Sequence, residues 1–498
     1  MNDQRSDSIL VTGATGYIGG RLIPLLLEQG YAVRVFVRDA DRIQGRTWLG
    51  DVEIVEGDVL DPKTLPPALE GIDAAYYLIH NMSEEKGYRQ QEIIAARNFG
   101  KTADAYDVDR IIYLGGLGNP QEDLAPHLRS RQATGEELAK HGVPVTEFRA
   151  AIIVGSGSMS FEMIRYLTER LPVMICPRWV YQNVQPIAVD DVLAYLTAAL
   201  ENPESLGKVI EIGGRDILPY AEMMKTYAHL RGLKRRLIPV PVLTPGLSSH
   251  WVHWMTPVPA SHTRPLVEGL RNEIVVRNPT ATDIFPSIQP VSYHEAVKRA
   301  LKKLDAKQVE TRWTDSMQSS QGYRKPVVLK NREGLILEMR EIAVQAGQDS
   351  VFNVFSSLGG EKGWLYMKWI WRLRGIIDRF LGGAGLRRGR RDPHQVRVGD
   401  AVDFWRVEEV VPSSLLRLRA EMLLPGDAWL QFETRATNQE KTVLAQSAFF
   451  APRGLAGFIY WYLLYPVHSI GFSGLIHSIK KEAETRAQEE DLHVAFPD

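Results

Sequence analysis

The strongest constraint on this chain lies near its start. Residues 11–20 read Val-Thr-Gly-Ala-Thr-Gly-Tyr-Ile-Gly-Gly, at the end of the apolar run Ser8–Thr12. Glycines at 13, 16 and 19 between a strand and a helix form a dinucleotide-binding fingerprint. Gly13 permits a tight turn, Gly16 lets the main chain approach a pyrophosphate, and Gly19 allows close helix–strand packing. Thr15, Tyr17 and Ile18 complete the candidate cofactor loop, and the helix that follows offers its N-terminus to phosphate.

The rest of the first third alternates strands and helices. A helix is expected over Tyr17–Gln29, with a kink or an irregular first half at Pro24. Further strands are expected at Ala32–Val37, Glu53–Glu56, Ala74–Ile79, Arg110–Leu114 and Val145–Phe148, with helices over Tyr88–Ala105 and Gln132–His141. Short connections between alternating β and α imply a doubly wound parallel sheet. About 20 residues past such a motif, an acid selects NAD and an arginine favours the 2′-phosphate of NADP. Arg38 lies 19 residues after Gly19. It favours NADP(H), while Asp39 keeps NAD(H) open.

Thr12–Gly19, Arg38 and the Gly57-Asp58-Val59 element together resemble the atypical and extended short-chain dehydrogenases, specifically the NmrA-like branch. The resemblance spans roughly residues 8–300. It implies that Asp58 and Val59 lie by the adenine. It also implies that Ile79 and His80, followed by Asn81, pass near the ribose and nicotinamide. That family uses a Tyr-x-x-x-Lys pair, in which Lys lowers the Tyr pKa for proton exchange. No such pair occurs here, and the equivalent positions fall near Leu128 and Gln132. The serine usual after the fifth strand is also missing, since that turn reads Leu114-Gly115-Gly116-Leu117-Gly118. His80, His127, Tyr113 and Arg131 are the groups left to supply a proton or hold an oxyanion, and each has a structural alternative. The catalytic residues therefore stay unknown.

Residues 150–304 keep α/β character and would form the substrate region. Val189–Glu201 reads as a helix, Lys208–Ile212 as a strand, and the Pro-, His- and Trp-rich stretch Pro239–Pro265 as irregular structure over a site. Gly100-Lys101-Thr102 imitates the end of a P-loop, but it sits in a helical run with Ala95 where the first glycine should be. Residues 305–329 read as a linker between a first domain, 1–304, and a second, 330–490. In the second, Ala401–Val411, Ser414–Leu424, Ala428–Ala436 and Thr442–Phe450 form an antiparallel meander. An apolar segment follows at 455–479, then a charged helix at Lys480–Glu490. This part resembles the domain of unknown function that follows NmrA-like modules in some bacterial proteins. Its strand–helix order is also similar to the START/SRPBCC helix-grip fold, which encloses apolar ligands. The fold class is thus a Rossmann-type α/β domain followed by an α+β helix-grip domain.

The chain's 59 Lys+Arg nearly balance 60 Asp+Glu, which argues against a nucleic-acid partner. Its one cysteine, Cys176, excludes internal disulfides and fits a reducing, cytoplasmic setting. The opening residues show no secretory signal. Segment 455–479 has no Asp, Glu, Lys or Arg. It reads either as a buried helix or as a peripheral membrane contact. Arg387-Arg388-Gly389-Arg390-Arg391 is either a solvated loop or an anion contact. Two functions stand: a reductase moving hydride between NADP(H) and a hydrophobic small molecule, and a non-catalytic protein that senses NADP(H) or binds an apolar ligand.

Overall fold

The computed structural model describes residues 7–43, 46–79, 88–122, 124–240, 268–269, 272–305, 336–360, 362–380, 383, 385, 390–392, 395–438, 441–452 and 454–495. The chain divides into two compact units, Met1–Ser316 and Met317–Asp498. The division falls inside the expected linker.

The first unit begins with β1 (Ser8–Thr12), α1 (Gly19–Glu28), β2 (Ala32–Val37) and β3 (Glu53–Glu56). The short α2 (Pro66–Leu69), β4 (Ala74–Tyr77), α3 (Tyr88–Ala105), β5 (Arg110–Gly116), α4 (Pro126–Leu138) and β6 (Val145–Ala150) follow. After β7 (Ile153–Val154), α5 (Met159–Arg170), β8 (Val173–Pro177), β9 (Asn183–Val184) and β10 (Ile187–Ala188) come α6 (Val189–Glu201) and β11 (Val209–Ile212). β12 (Leu218–Pro219), α7 (Tyr220–Leu230), β13 (Arg236–Val240), α8 (Thr280–Ile284) and α9 (Tyr293–Asp305) complete the unit.

Seven strands form one sheet in the order β11-β6-β5-β4-β1-β2-β3, and every pairing is parallel. The order reverses direction between β1 and β4, which creates a crevice at their carboxyl ends. Two apolar clusters sandwich the sheet. Leu22, Ile23 and Leu26 of α1 pack with Val192 and Leu196 of α6 on one side. Ala96, Phe99 and Ala103 of α3 pack with Tyr77 and Tyr113 on the other. Strands covered on both faces read as continuous apolar runs, as they do in Ile9–Val11 and Ile111–Tyr113.

Several boundaries differ from expectation. α1 begins at Gly19 and contains Pro24 without interruption. β4 ends at Tyr77 because the chain leaves the ladder to meet the glycine turn. α4 starts at Pro126, six residues before the expected Gln132, because proline is tolerated in a first helical turn where its missing N–H has no partner to lose. The expected cover Pro239–Pro265 lies, beyond Val240, outside the described residues. Gly100-Lys101-Thr102 sits within α3, where the Thr102 hydroxyl donates to the Asn98 carbonyl.

The second unit contains β14 (Ile336–Val344), α10 (Gln348–Ser356), α11 (Lys368–Phe380) and β15 (Ala401–Val402). Then come β16 (Trp405–Val411), β17 (Leu415–Ala420), β18 (Gly426–Asn438), β19 (Lys441–Pro452) and the long α12 (Gly454–Ala495). Its sheet is antiparallel, in the order β14-β19-β18-β17-β16-β15. Leu430 and Phe432 of β18 and Leu444 of β19 face Leu475, Ile476 and Ile479 of α12, and all are essentially inaccessible. The expected single run Ala401–Val411 is two strands, because Asp403 turns the chain with φ +54°. The apolar segment and the charged helix are one continuous helix through Pro466. Inside this unit Arg406 and Glu421 form a buried ion pair at 3.1 Å.

Candidate functional site

The glycine turn is built around the carbonyl of Gly13. Gly13 has φ +73°, and a Cβ there would stand 2.6 Å from the Leu78 carbonyl oxygen just beyond β4. The Gly16 amide donates to the Gly13 carbonyl at 2.8 Å. A Cβ on Gly19 would overlap that carbonyl oxygen and stand 2.9 Å from its carbon. Thr12 fastens the two sides of the crevice: its hydroxyl donates to the Tyr76 carbonyl at 2.9 Å and accepts from the Leu78 amide at 3.1 Å. α1 has no side-chain cap and no acid in its first turn. Its positive end is therefore available to an anion in the crevice. Thr15 and Ile18 are half-buried around that turn.

The Tyr17 side chain packs against neighbouring turns. Its ring lies under the Arg21 guanidinium at 4.7 Å, and its hydroxyl sits against Gly155. Arg21, which is buried, donates to the Ser156 carbonyl at 2.8 Å. These contacts tie the glycine turn to the β7–α5 turn.

The side expected to take the adenine is built from β2 and β3. Arg38 is exposed just past β2. Phe36 packs beneath Gly57, whose Cβ would meet its ring at 2.6 Å. The Asp58 amide donates to Thr64 Oγ1 at 3.0 Å, and its carboxylate accepts from the Leu60 amide at 3.0 Å. Val59 is buried, and its carbonyl accepts from Asn98 Nδ2 at 3.0 Å. Ile79 is half-buried next to Leu78. His80 lies outside the described residues, as do His250, Trp251, His253 and Trp254.

The structure brings Tyr113, His127 and Arg131 together around the end of β5 and α4. Tyr113 is buried and donates to the Arg131 carbonyl at 2.9 Å. Burial pushes its hydroxyl far above the usual range. The hydroxyl therefore keeps its proton and places it on the Arg131 carbonyl. His127 is pushed down to about 3, first by burial and then by Arg131, so its ring is neutral at physiological pH. Leu128 and Gln132 occupy the face of α4 over the β5 turn. A Cβ on Gly116 would meet Leu128 Cδ2 at 2.8 Å and Arg131 Cδ at 3.2 Å. Gln132 is buried and donates to the Gly118 carbonyl at 2.8 Å. Arg131 is thus the cationic side chain that α4 holds over the β5 turn.

A cavity of about 590 Å³ lies elsewhere in this unit, lined in part by Gln185, Gly213, Arg215 and Val291. It borders β11, which stands four strand positions from β1 in the sheet. At ~4.8 Å per strand the two are separated by roughly 19 Å, so this cavity is distinct from the glycine cradle.

In the second unit the arginine cluster is partly structural. Arg390 donates to the carbonyls of Ser356 and Leu358, both at 2.6 Å, and Arg391 pairs with Asp400 at 3.1 Å. These two side chains hold the loop to the domain. Arg387, Arg388 and Gly389 lie outside the described residues.

Comparison with known proteins agrees with the cradle. Residues 13–149 match the family described as NAD(P)H-binding, and residues 335–475 match the family described as protein of unknown function (DUF2867). The chain therefore carries a region of the NAD(P)H-binding family, followed by a DUF2867 region. Among its relatives is a ceramide reductase of Caulobacter vibrioides, 28% identical over 246 residues, covering 48% of this chain and 76% of that protein. A sterol demethylase protein B of Methylococcus capsulatus is 32% identical over 120 residues, covering 22% of this chain and 36% of the relative. The photosystem II assembly factor Ycf39 of Trieres chinensis is 23% identical, covering 47% of this chain and 72% of that protein. The triphenylmethane reductase of a Citrobacter species, crystallised with NADP(H), superposes with a TM-score of 0.48 at 20% identity, over 59% of this chain and 99% of that one.

Proposed function

We propose that the protein is an NADPH-dependent oxidoreductase that reduces a hydrophobic acceptor. The observation that carries this reading is the glycine turn wrapped on the Gly13 carbonyl beneath an uncapped, acid-free helix terminus. Gly13, Gly16 and Gly19 leave room for a pyrophosphate, and the exposed Arg38 just past β2 supports NADP(H) over NAD(H). The bound cofactor supplies a hydride, that is, two electrons and one proton. Arg131 would hold negative charge on an acceptor oxygen. The completing proton is supplied by solvent in this reading, since Tyr113 donates to the Arg131 carbonyl and the His127 ring is neutral. This chemistry suits acceptors such as quinones and conjugated enones, whose reduced oxyanions are readily protonated by solvent.

A second reading, cofactor binding without turnover, is supported by Leu128 and Gln132 at the positions of the missing Tyr and Lys. For the second unit, strand β14, two helices, five antiparallel strands and a final helix support a helix-grip domain of the START/SRPBCC type. The test is a fluorescence titration of the full chain with NADPH and NADH, followed by NADPH oxidation assays with apolar quinones and enones. Tight NADPH binding with turnover supports the reductase. Tight binding without turnover on any acceptor selects the second reading. Failure to bind either nucleotide overturns both.

A further inference from the structure

In the second unit two helices turn apolar faces outward. On α11 the exposed positions recur at helical spacing. Trp369, Leu373, Ile376, Ile377 and Phe380 are 63%, 49%, 52%, 45% and 68% exposed. The opposite face anchors the helix: Trp371 stacks on Trp364 at 5.0 Å, and the buried Asp378 carboxylate accepts from the Leu423 amide at 2.7 Å and the Gly385 amide at 2.9 Å. α12 repeats the pattern in its first half. Ile459, Tyr462, Leu463 and Ile470 are 57%, 65%, 74% and 56% exposed. The loop before β18 joins the two helices. Arg374 of α11 donates to the Leu423 carbonyl at 3.1 Å, while Gly457 of α12 packs on the Pro425 carbonyl. Leu423, itself 40% exposed, lies between them.

Exposed apolar side chains grouped in this way, rather than scattered singly, mark an interaction surface. Its charges indicate what covers it. Lys368 and Arg372 are exposed among the apolar positions of α11, and the acid of that helix, Asp378, is buried. Residues 454–479 contain no charged side chain at all. Apolar and aromatic side chains fringed by cations, with no exposed acid on α11 among the described residues, match a helix lying in the plane of a membrane interface. Tyr and Trp side chains favour the headgroup level. Among the described residues no helix is long and apolar enough to cross a membrane.

We propose that the outward faces of α11 and the first half of α12 form a docking surface for an anionic lipid bilayer, which holds the protein at the membrane without spanning it. The proposal is independent of the nucleotide site, which lies in the other unit.

Flotation of the full chain with vesicles tests it, using phosphatidylcholine alone and an equimolar mixture with phosphatidylglycerol. The chain is expected to float with the anionic vesicles and to do so less at high salt. Lys368→Gln with Arg372→Gln changes only exposed side chains. At ~5-fold per cation the pair lowers partitioning ~25-fold. Leu373→Ser with Leu463→Ser removes binding while NADPH binding in the other unit is retained. A chain that stays with the soluble fraction on both vesicles overturns the proposal. So does equal binding to both vesicles that ignores the lysine and arginine changes. A concentration-dependent dimer that Leu373→Ser with Leu463→Ser dissolves, without vesicle binding, assigns the face to a second copy and also overturns it.

Discussion

Replacing Gly19 by alanine tests whether the cradle works by close packing of the turn. The new Cβ would stand 2.9 Å from the Gly13 carbonyl carbon and 3.2 Å from Ala14 Cα. Every atom it meets is main chain, so no side chain can swing aside. Ordinary carbon contacts need about 3.5–4.0 Å, so the turn must open by roughly 0.6–1 Å. Overpacking of this kind costs about 1–3 kcal/mol of stability. The same displacement moves the amides that would face the pyrophosphate. Losing one charge-assisted hydrogen bond costs about 1.5–3 kcal/mol, or roughly 10- to 150-fold in affinity. Gly50→Ala is the matched control, because a Cβ there meets nothing within 4 Å and Gly50 has no positive φ. NADPH titration and thermal unfolding of both variants give the answer. Gly19→Ala should bind NADPH at least tenfold more weakly, while Gly50→Ala matches the wild type. If Gly19→Ala binds within twofold of wild type, the turn is not the cofactor cradle.

Three further outcomes follow from the geometry. Arg38→Ala should weaken NADPH binding roughly 10- to 150-fold, the loss of a charge-assisted contact to phosphate, and leave NADH nearly unchanged; equal weakening of both would remove Arg38 from the ribose site. Tyr113→Phe should cost about 1 kcal/mol in denaturant unfolding through the lost bond to the Arg131 carbonyl and leave turnover intact; Arg131→Ala should lower kcat while Tyr113→Phe does not, and the reverse order would restore Tyr113 to the chemistry. Burial raises the Asp403 carboxyl from 3.8 to about 6 in the folded state, opposed by hydrogen bonds from Trp364 and Gly360 and by Arg390. Its proton is therefore retained by the folded chain after the unfolded chain has lost it. That contribution is complete below about pH 4 and disappears as pH rises through about 6, an effect of about 2–3 kcal/mol. Asp403→Asn should flatten the wild-type loss of stability between pH 4 and 6, and an unchanged difference between the two proteins across that range would refute the assignment.

Much of the first unit was legible in the sequence. Gly13, Gly16 and Gly19 have few alternatives, because a Cβ at 13 would meet the Leu78 carbonyl and one at 16 or 19 the Gly13 carbonyl. Alternating apolar runs and amphipathic segments imply parallel strands under helices, and α3 and β3 were located to the residue. The same logic worked for β18, where Leu430, Phe432 and Thr434 alternate with polar positions. It missed β14 because Leu337 and Met339 occupy its exposed face, so apolar residues stand on both sides and the alternation is blurred. Its partner β19 is also about a hundred residues away, beyond any local signal.

Side-chain spacing alone determined where a nucleotide would bind and which strands bracket it, since backbone sterics act locally and need only neighbouring residues. Tertiary packing decided which polar groups remain chemically useful. Tyr113, His127 and Arg131 look equivalent as a list, yet packing turns the first onto the Arg131 carbonyl, burial holds the second neutral, and Arg131 lies over the β5 turn. Packing likewise decided that α11 and α12 present their apolar faces outward. Amphipathic spacing defines a face, but only the elements on the opposite side, here Trp364 and the loop held by Asp378, determine which way that face points.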